Sequence, residues 1–186
     1  MKNNTVYLLI GQRGAGKSHY AGRLKERQPE LELISRDEIL IRLFGTTSLC
    51  SYTGGHFHAS NEVFQEIEKT FSDSNEKKVL LDFWTGFSNE RWSLVQKLRQ
   101  LGAERIIALY FMTPLPLVEK WFWSKPGIAR MSEMRSKNGE KGVAFYSDTA
   151  PAHDFQLFHQ EAQKIDRDGF DEVIRIDPQG ELVLLT

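Results

Sequence analysis

Residues 5–18 read TVYLLIGQRGAGKS, and this stretch decides the fold class of the chain. Its first six residues, Thr5–Ile10, are apolar or strand-favouring, which predicts a short strand buried on both faces of a sheet. Gly11 ends this strand, and a helical pattern begins at Lys17 and runs to Arg27. A buried strand that passes through a glycine-rich turn into a helix is typical of an α/β protein with a parallel sheet.

The turn between this strand and this helix, Gly11–Ser18, matches the pattern G-x-x-x-x-G-K-[ST] at every position. Its glycines allow backbone N–H groups to converge on phosphate oxygens, and the helix that follows adds the positive end of its dipole. We expect Lys17 to reach the β- and γ-phosphates of a nucleotide and the Ser18 hydroxyl to ligate Mg²⁺. The candidate phosphate-binding residues are therefore Gly11, Gln12, Arg13, Gly14, Ala15, Gly16, Lys17 and Ser18.

The rest of the chain continues the alternation between strands and helices. Apolar runs predict strands at residues 31–35, 79–83, 106–111 and 170–176, with a candidate edge strand at 181–185. Helical patterns occupy residues 37–44, 59–71, 88–101, 116–124 and 154–167. Residues 46–55 are predicted to be a loop, and residues 125–150, which contain three glycines, a mobile lid. The sequence thus predicts a three-layer α/β/α domain around a mostly parallel sheet.

Length and charge limit the class of protein. The chain has 186 residues, with 24 Lys and Arg against 25 Asp and Glu, and a formal charge of −1. This length suits one domain over residues 1–186, and the near-zero charge does not favour nucleic acid or an anionic membrane as a partner. The single cysteine, Cys50, excludes an internal disulfide and a cysteine-based zinc site, and we expect it to be inert. No run approaches ~20 apolar residues, so we expect no membrane span and a cytoplasmic location. We expect a monomer or homodimer.

Two carboxylates stand where predicted parallel strands end. Asp82 lies at the end of the strand at 79–83 and is a candidate Mg²⁺ ligand, because the carboxyl ends of such strands form the ligand-binding edge of the sheet. Asp37 follows the strand at 31–35 and is a candidate general base for an acceptor hydroxyl during phosphoryl transfer. Structural roles stay open for both, with Asp82 capping the next turn and Asp37 serving as the N-cap of the following helix.

Five stretches occur in a recognisable order along residues 5–178. They are GQRGAGKS (11–18), SRDEIL (35–40), VLLDF (79–83), LYFMTPLPLVEKW (109–121) and DGFDEVIRID (168–177). Together they resemble the small AAA-type P-loop kinases related to polynucleotide 5′-kinase and the zeta-toxin-like phosphotransferases. The resemblance implies a P-loop NTPase fold with a five-stranded sheet of order 2-3-1-4-5. It also implies transfer of the γ-phosphoryl group of ATP to a hydroxyl on a small molecule, a nucleoside or a nucleic acid 5′ end.

The chain departs from this family's pattern near the candidate base. Such kinases often carry an arginine three residues after the base aspartate, and this chain has Leu40 there, with Arg42 as the nearest candidate substitute. The lid of these kinases usually carries an arginine pair that contacts the transferring phosphate, and here Trp121 and Lys125 take those positions. These departures keep open an alternative function, a nucleotide-binding regulatory module or a slow NTPase. The candidate replacements for the lid arginines are Arg130 and Arg135.

The lid region also offers clues to the substrate. Residues 120–142 hold six Lys and Arg against two Glu, which suits ATP phosphates or a phosphate-bearing acceptor, although a solvated charged loop would look the same. The aromatic run 121–123 is either core packing or a surface that stacks on a base. The polar loop 46–58, with His56 and His58, is a candidate wall of the acceptor pocket and lacks further zinc ligands. Residues 177–180 are equally consistent with an adenine-edging loop and a plain turn.

Overall fold

The computed structural model describes residues 3–47, 54–72, 76–136 and 143–185. Its strands are β1 (Thr5–Ile10), β2 (Glu32–Ser35), β3 (Lys78–Asp82), β4 (Arg105–Phe111), β5 (Ile128–Arg130), β6 (Ala144–Tyr146) and β7 (Glu172–Ile176). Its α-helices are α1 (Lys17–Arg27), α2 (Arg36–Phe44), α3 (Gly55–Ser72), α4 (Ser88–Gln100), α5 (Leu115–Trp123) and α6 (Ala150–Ala162). No helix in these ranges has both the length and the apolar character needed to cross a membrane.

Five strands form one parallel sheet in the order β2-β3-β1-β4-β7. The central strand β1 is buried along its whole length, and Leu8 lies opposite Leu81 on β3 and Ala108 on β4. At the carboxyl edge, Ser35 of β2 lies opposite Asp82 of β3, which brings the ends of these two strands side by side. The predicted P-loop NTPase fold and its strand order are confirmed, with β7 as the fifth strand of the sheet.

The two faces of the sheet pack into separate cores, which gives the three layers. Alternate residues of β1 serve opposite faces, since Leu8 belongs to one core and Leu9 to the other. The core on the Leu8 face includes apolar residues of α2, α3, α4 and α6, such as Val63. The core on the Leu9 face includes Leu24 of α1 and Leu185 near the C-terminus. This burial on both faces explains why the strands read as continuous apolar runs.

The structure corrects several predicted boundaries. The candidate edge strand at 181–185 is wrong, because its backbone pairs with side chains instead of a strand: Leu185 exchanges two hydrogen bonds with the Gln28 side chain. Helices α3 and α6 each begin four residues before their predicted starts, and α6 ends at Ala162. Within the lid, β5 and β6 pair as a small parallel sheet that the sequence did not predict.

Candidate active site

The phosphate loop packs against α5, and two of its glycines are required for this close contact. Gly14 and Gly16 have φ angles of 81° and 89°, in the left-handed region that glycine favours. A Cβ at Gly16 would lie 2.7 Å from Cζ3 of Trp121, and one at Gly14 would lie 2.7 Å from the carbonyl oxygen of Val118. Both backbone conformation and close packing therefore exclude larger residues at these two positions.

The Lys17 side chain folds back along the loop. Its Nζ donates to the carbonyl oxygens of Gly11 and Gln12, at 2.7 and 3.3 Å. Burial lowers the pKa of Lys17, and the nearby Asp82 carboxylate opposes that shift. Lys17 lies inside the loop at the N-terminus of α1, where the positive end of the helix dipole also favours an anion.

Ser18 and Asp82, the two predicted metal ligands, lie in contact. The Ser18 hydroxyl at the start of α1 donates to Oδ2 of Asp82 at the end of β3, across 3.1 Å. A hydroxyl and a carboxylate oxygen are hard donors of the kind that Mg²⁺ prefers. The residues present therefore fit a magnesium ion bound beside the phosphate loop.

Asp37 does not cap its helix. The N-cap of α2 is Ser35, whose Oγ accepts from the backbone N–H of Glu38 at 3.4 Å. The Asp37 side chain is 65% exposed, and the capping interpretation of this residue is wrong. Asp37 instead lines a cavity together with Lys17 and Asp82. The candidate base therefore lies at the same cavity as the lysine of the phosphate loop and the candidate metal ligand.

Two cavities meet at the phosphate loop, and Lys17 lines both of them. The larger cavity, about 650 Å³, extends from the loop across α2, the segment after β3, and β6. The smaller cavity, about 370 Å³, lies between the loop, α5 and Pro178. A nucleotide whose phosphates follow the loop would end with its terminal phosphate beside Lys17, facing the larger cavity.

Two arginines line the larger cavity: Arg13, a predicted phosphate-binding residue, and Arg36, to which the sequence analysis gave no role. The Arg36 guanidinium lies 5.3 Å from the centre of the Phe83 ring, and burial lowers its pKa against the opposing influence of Asp37. Arg13 pairs with Asp154 of α6 at 2.8 Å, and its guanidinium lies 5.0 Å from the Tyr146 ring on β6. The position of Arg36 next to the candidate base was a sequence signal that could have identified it.

A buried ion pair holds the segment that lines this cavity after β3. Arg91 of α4 donates through Nε to Asp168 at 2.6 Å, and both side chains are buried. Its other nitrogens donate to the carbonyl oxygens of Thr85 at 3.1 Å and Glu161 at 2.7 Å, while Ser88 also donates to Asp168. The wall formed by residues 83–85 is thereby fastened to α4 and α6.

The predicted replacement arginines lie elsewhere. Arg42 pairs with Glu62 and Glu66 on α3, at 3.2 and 2.7 Å, so its predicted role beside the base is wrong. The Arg130 guanidinium stacks 4.3 Å from the Trp123 ring. The structure brings neither Arg130 nor Arg135 to the lining of either cavity. Leu40, which holds the family's arginine position, is fully buried in the core.

The remaining sequence candidates divide between the two cavities. Phe122 is core, Trp121 and Lys125 line the smaller cavity, and His56 lines the larger one. Pro178 also lines the smaller cavity, which agrees with a loop that edges the base of a nucleotide. Cys50, Lys137 and Lys141 lie outside the described residues.

A glycine loop between β1 and α1, with the Ser18–Asp82 pair beside it on a sheet of this order, defines a P-loop NTPase. The sequence model of the AAA domain matches residues 6–138, and the chain belongs to this family. A search of curated proteins finds no match.

Similar solved structures all share this fold at low identity. A chain of the Pnkp1/Rnl/Hen1 RNA repair complex is 14% identical with a TM-score of 0.66, over 88% of this chain and 47% of that one. A fungal RNA kinase is 17% identical with a TM-score of 0.55, over 97% and 78%. Shikimate kinase from Acinetobacter baumannii, in complex with shikimate, is 17% identical with a TM-score of 0.52, over 96% and 86%. This chain spans about half the length of the RNA repair protein that it matches.

Proposed function

We propose that this chain is an ATP-dependent kinase that transfers the γ-phosphoryl group to a hydroxyl on a small molecule, a nucleoside or a nucleic acid 5′ end. The observation that carries the proposal is the position of Lys17 between two cavities, one along the phosphate loop and one containing Asp37. This arrangement would separate a nucleotide from an acceptor and would leave Lys17 between them. The kinases among the structural neighbours support the same reaction class.

The nucleotide would bind along the phosphate loop in the smaller cavity. Backbone N–H groups of the loop and the start of α1 would hold the phosphates, and Lys17 would neutralise charge that develops as the γ-phosphoryl group leaves. Trp121, Lys125 and Pro178 would border the rest of the nucleotide. Ser18 and Asp82 would hold a magnesium ion, which would supply positive charge to neutralise the phosphates.

Asp37 would act from the acceptor side. Its exposed carboxylate would take the proton from the acceptor hydroxyl as the new P–O bond forms and the bond to ADP breaks. Asp37 is free for this role because Ser35 caps α2. We propose Arg130 and Arg135 as further phosphate contacts, which requires the lid to move toward the loop from its position in this structure.

The test is a screen of radiolabelled ATP against nucleosides, oligonucleotides, sugars and antibiotics. A kinase gives a labelled acceptor, and Asp37→Asn removes that product while ATP still binds. Saturable ATP binding without any turnover would instead support a regulatory module, and ADP release that no acceptor accelerates would support a slow NTPase. The buried Leu40 in the position of a family arginine is the observation that gives these alternatives weight.

A further inference from the structure

Arg13 occupies a position of the phosphate loop whose side chain the motif leaves open. In the pattern G-x-x-x-x-G-K-[ST] it stands at an x position, and loops of this kind hold phosphate through backbone N–H groups. The Arg13 side chain is 41% exposed and lines the larger cavity together with Gly11 and Lys17. The smaller cavity takes its loop residues from Gly14 onward. The Arg13 side chain therefore borders the larger cavity and not the smaller one.

Two side chains from other elements hold the Arg13 guanidinium. Nε of Arg13 donates to Oδ2 of Asp154 on α6 at 3.0 Å, and Nη2 lies 2.8 Å from the same oxygen. The Tyr146 ring on β6 lies 5.0 Å from the guanidinium carbon, and Phe122 of α5 packs edge-on against Tyr146 at 5.3 Å. Among the residues that the structure describes, none accepts a hydrogen bond from Nη1. Asp154 thus occupies one edge of the guanidinium, and Nη1 remains available to a ligand.

The ion pair of Arg13 and Asp154 is better suited to orientation than to stability. Both side chains are partly exposed, and ion pairs of this kind contribute little to the free energy of unfolding. A guanidinium binds phosphate through a planar fork whose direction matters, and ordering a free arginine side chain on binding costs conformational entropy. Asp154 and Tyr146 restrict this side chain before any phosphate arrives, which lowers that cost.

The lid does not supply an arginine to either cavity in this structure. Trp121 and Lys125 occupy the family's arginine positions, and neither Arg130 nor Arg135 lines either cavity. A guanidinium beside the transferring phosphoryl group stabilises the charge on its oxygens. Arg13 lies on the same loop as Lys17, so it can provide this group without any movement of the lid.

We propose that Arg13 binds the terminal phosphate of the nucleotide from the larger cavity, and that Asp154 is the residue that positions Arg13 for this contact. The inference rests on the proposed kinase function, to which it adds a second cation of the phosphate loop besides Lys17. Arg13 would donate hydrogen bonds to oxygens of the γ-phosphoryl group while the bond to ADP breaks and the bond to the acceptor forms. Asp154 would act only through Arg13.

The test compares two nucleotides that differ in the terminal phosphate, so it needs no acceptor. ADP and the β,γ-imido analogue of ATP, each with Mg²⁺, are titrated calorimetrically, and the ratio of their dissociation constants measures contacts to the γ-phosphate. We expect Arg13→Gln to weaken binding of the imido analogue on the order of 10–100-fold, the loss of a charge-assisted hydrogen bond, with little change for ADP. Asp154→Asn should lower the ratio by roughly 3–10-fold, because Arg13 keeps its charge and loses its orientation.

An ion pair at the opposite edge of the sheet supplies matched controls. Arg105, where β4 begins, pairs with Glu172, where β7 begins, at 2.6 Å, and both side chains are exposed. Arg105→Gln and Glu172→Gln remove the same charges and should leave the ratio unchanged. The Arg13→Gln/Asp154→Asn double variant should match Arg13→Gln alone, because Asp154 acts through Arg13. Thermal melts confirm folding, and Arg13→Lys, which keeps the charge without the planar fork, should give an intermediate ratio and replaces Arg13→Gln if that variant unfolds.

The outcomes separate this inference from the proposed function. An unchanged ratio in Arg13→Gln, or an equal loss of affinity for both nucleotides, overturns the inference, and phosphate transfer to an acceptor would still leave the kinase function standing. An unchanged ratio in Asp154→Asn, or a double variant weaker than Arg13→Gln, overturns the positioning role of Asp154. A wild type that binds neither nucleotide overturns both proposals. An Arg13-dependent ratio without transfer to any compound in the acceptor screen would overturn the kinase function and leave the Arg13 contact established.

Discussion

The two cavities that meet at Lys17 are built in different ways. The smaller one takes six consecutive residues, 14–19, from the phosphate loop and its helix, and adds a few side chains from α5 and the segment after β7. The larger one gathers side chains from the loop, α2, α3, β3 and β6. A cavity formed from one continuous segment is specified by a short motif. A cavity formed from many elements can change its ligand without altering the other cavity.

The largest expected effect comes from the lid, and it would show whether lid arginines contact the phosphates of the nucleotide. If Arg130 and Arg135 reach the transferring phosphate, the Arg130→Ala/Arg135→Ala double variant loses ~10³–10⁵-fold in turnover, as for other phosphate-contacting arginines. Steady-state assays with ATP and the identified acceptor measure this loss. Full activity would leave Arg130 as a partner of Trp123 alone, and Lys125 as the cationic lid residue next to the loop.

The next largest effect is expected from Asp37, and it would separate the proposed role of the larger cavity in acceptor binding from ATP binding at the phosphate loop. Asp37→Asn should lower acceptor phosphorylation by ~10²–10⁴-fold, because the amide cannot take the proton, while ATP affinity changes little. Stability should also change little, since Ser35 rather than Asp37 caps α2. Glu38→Gln, one residue further and exposed, is the matched control with near-normal activity. Loss of ATP binding in Asp37→Asn would assign this carboxylate to the nucleotide side instead.

Lys17 lines both cavities, and its removal should affect chemistry without unfolding the chain. Lys17→Ala should lower turnover by at least ~10²–10³-fold, the effect of removing one group that stabilises developing charge. Its contacts are two loop carbonyls, so far-ultraviolet circular dichroism should be unchanged. Lys69→Ala, on the exposed side of α3, provides the control. Wild-type turnover in Lys17→Ala would refute the phosphate-loop assignment.

The smallest expected effect concerns two glycines of the same region. Gly16→Ala places a Cβ 2.7 Å from Trp121 at a φ of 89°, and should weaken ATP binding and lower the free energy of unfolding by about 1–3 kcal/mol. Gly22→Ala lies in α1 with nothing within 4 Å, and should raise stability by about 0.5–1 kcal/mol. Chemical denaturation measures both, and equal behaviour of the two variants would contradict the close packing of α5 on the loop.

The sequence predicted the residues around the phosphate loop more fully than those that line the larger cavity. The bounds of β1 and α1 match their predicted bounds, and Ser18 and Asp82 meet as expected, because strand order and motif together determine their positions. Arg36 was missed although it precedes the candidate base, because its contact with the Phe83 ring joins residues that are distant in the sequence. The sequence analysis predicted a phosphate contact for Arg130 from the cluster of Lys and Arg in the lid. In the structure Arg130 stacks on Trp123, a contact that no local sequence pattern indicates.

The buried pair of Arg91 and Asp168 has a consequence for how this chain could diverge. Removing one partner would strand a buried charge, at a cost of ~3–5 kcal/mol, so the two positions can change only together. The pair anchors the backbone at Thr85, whereas the neighbouring Trp84 side chain is exposed and lines the larger cavity. Descendants of this protein could therefore acquire new acceptors through substitutions at Trp84, on a backbone that the ion pair keeps in place.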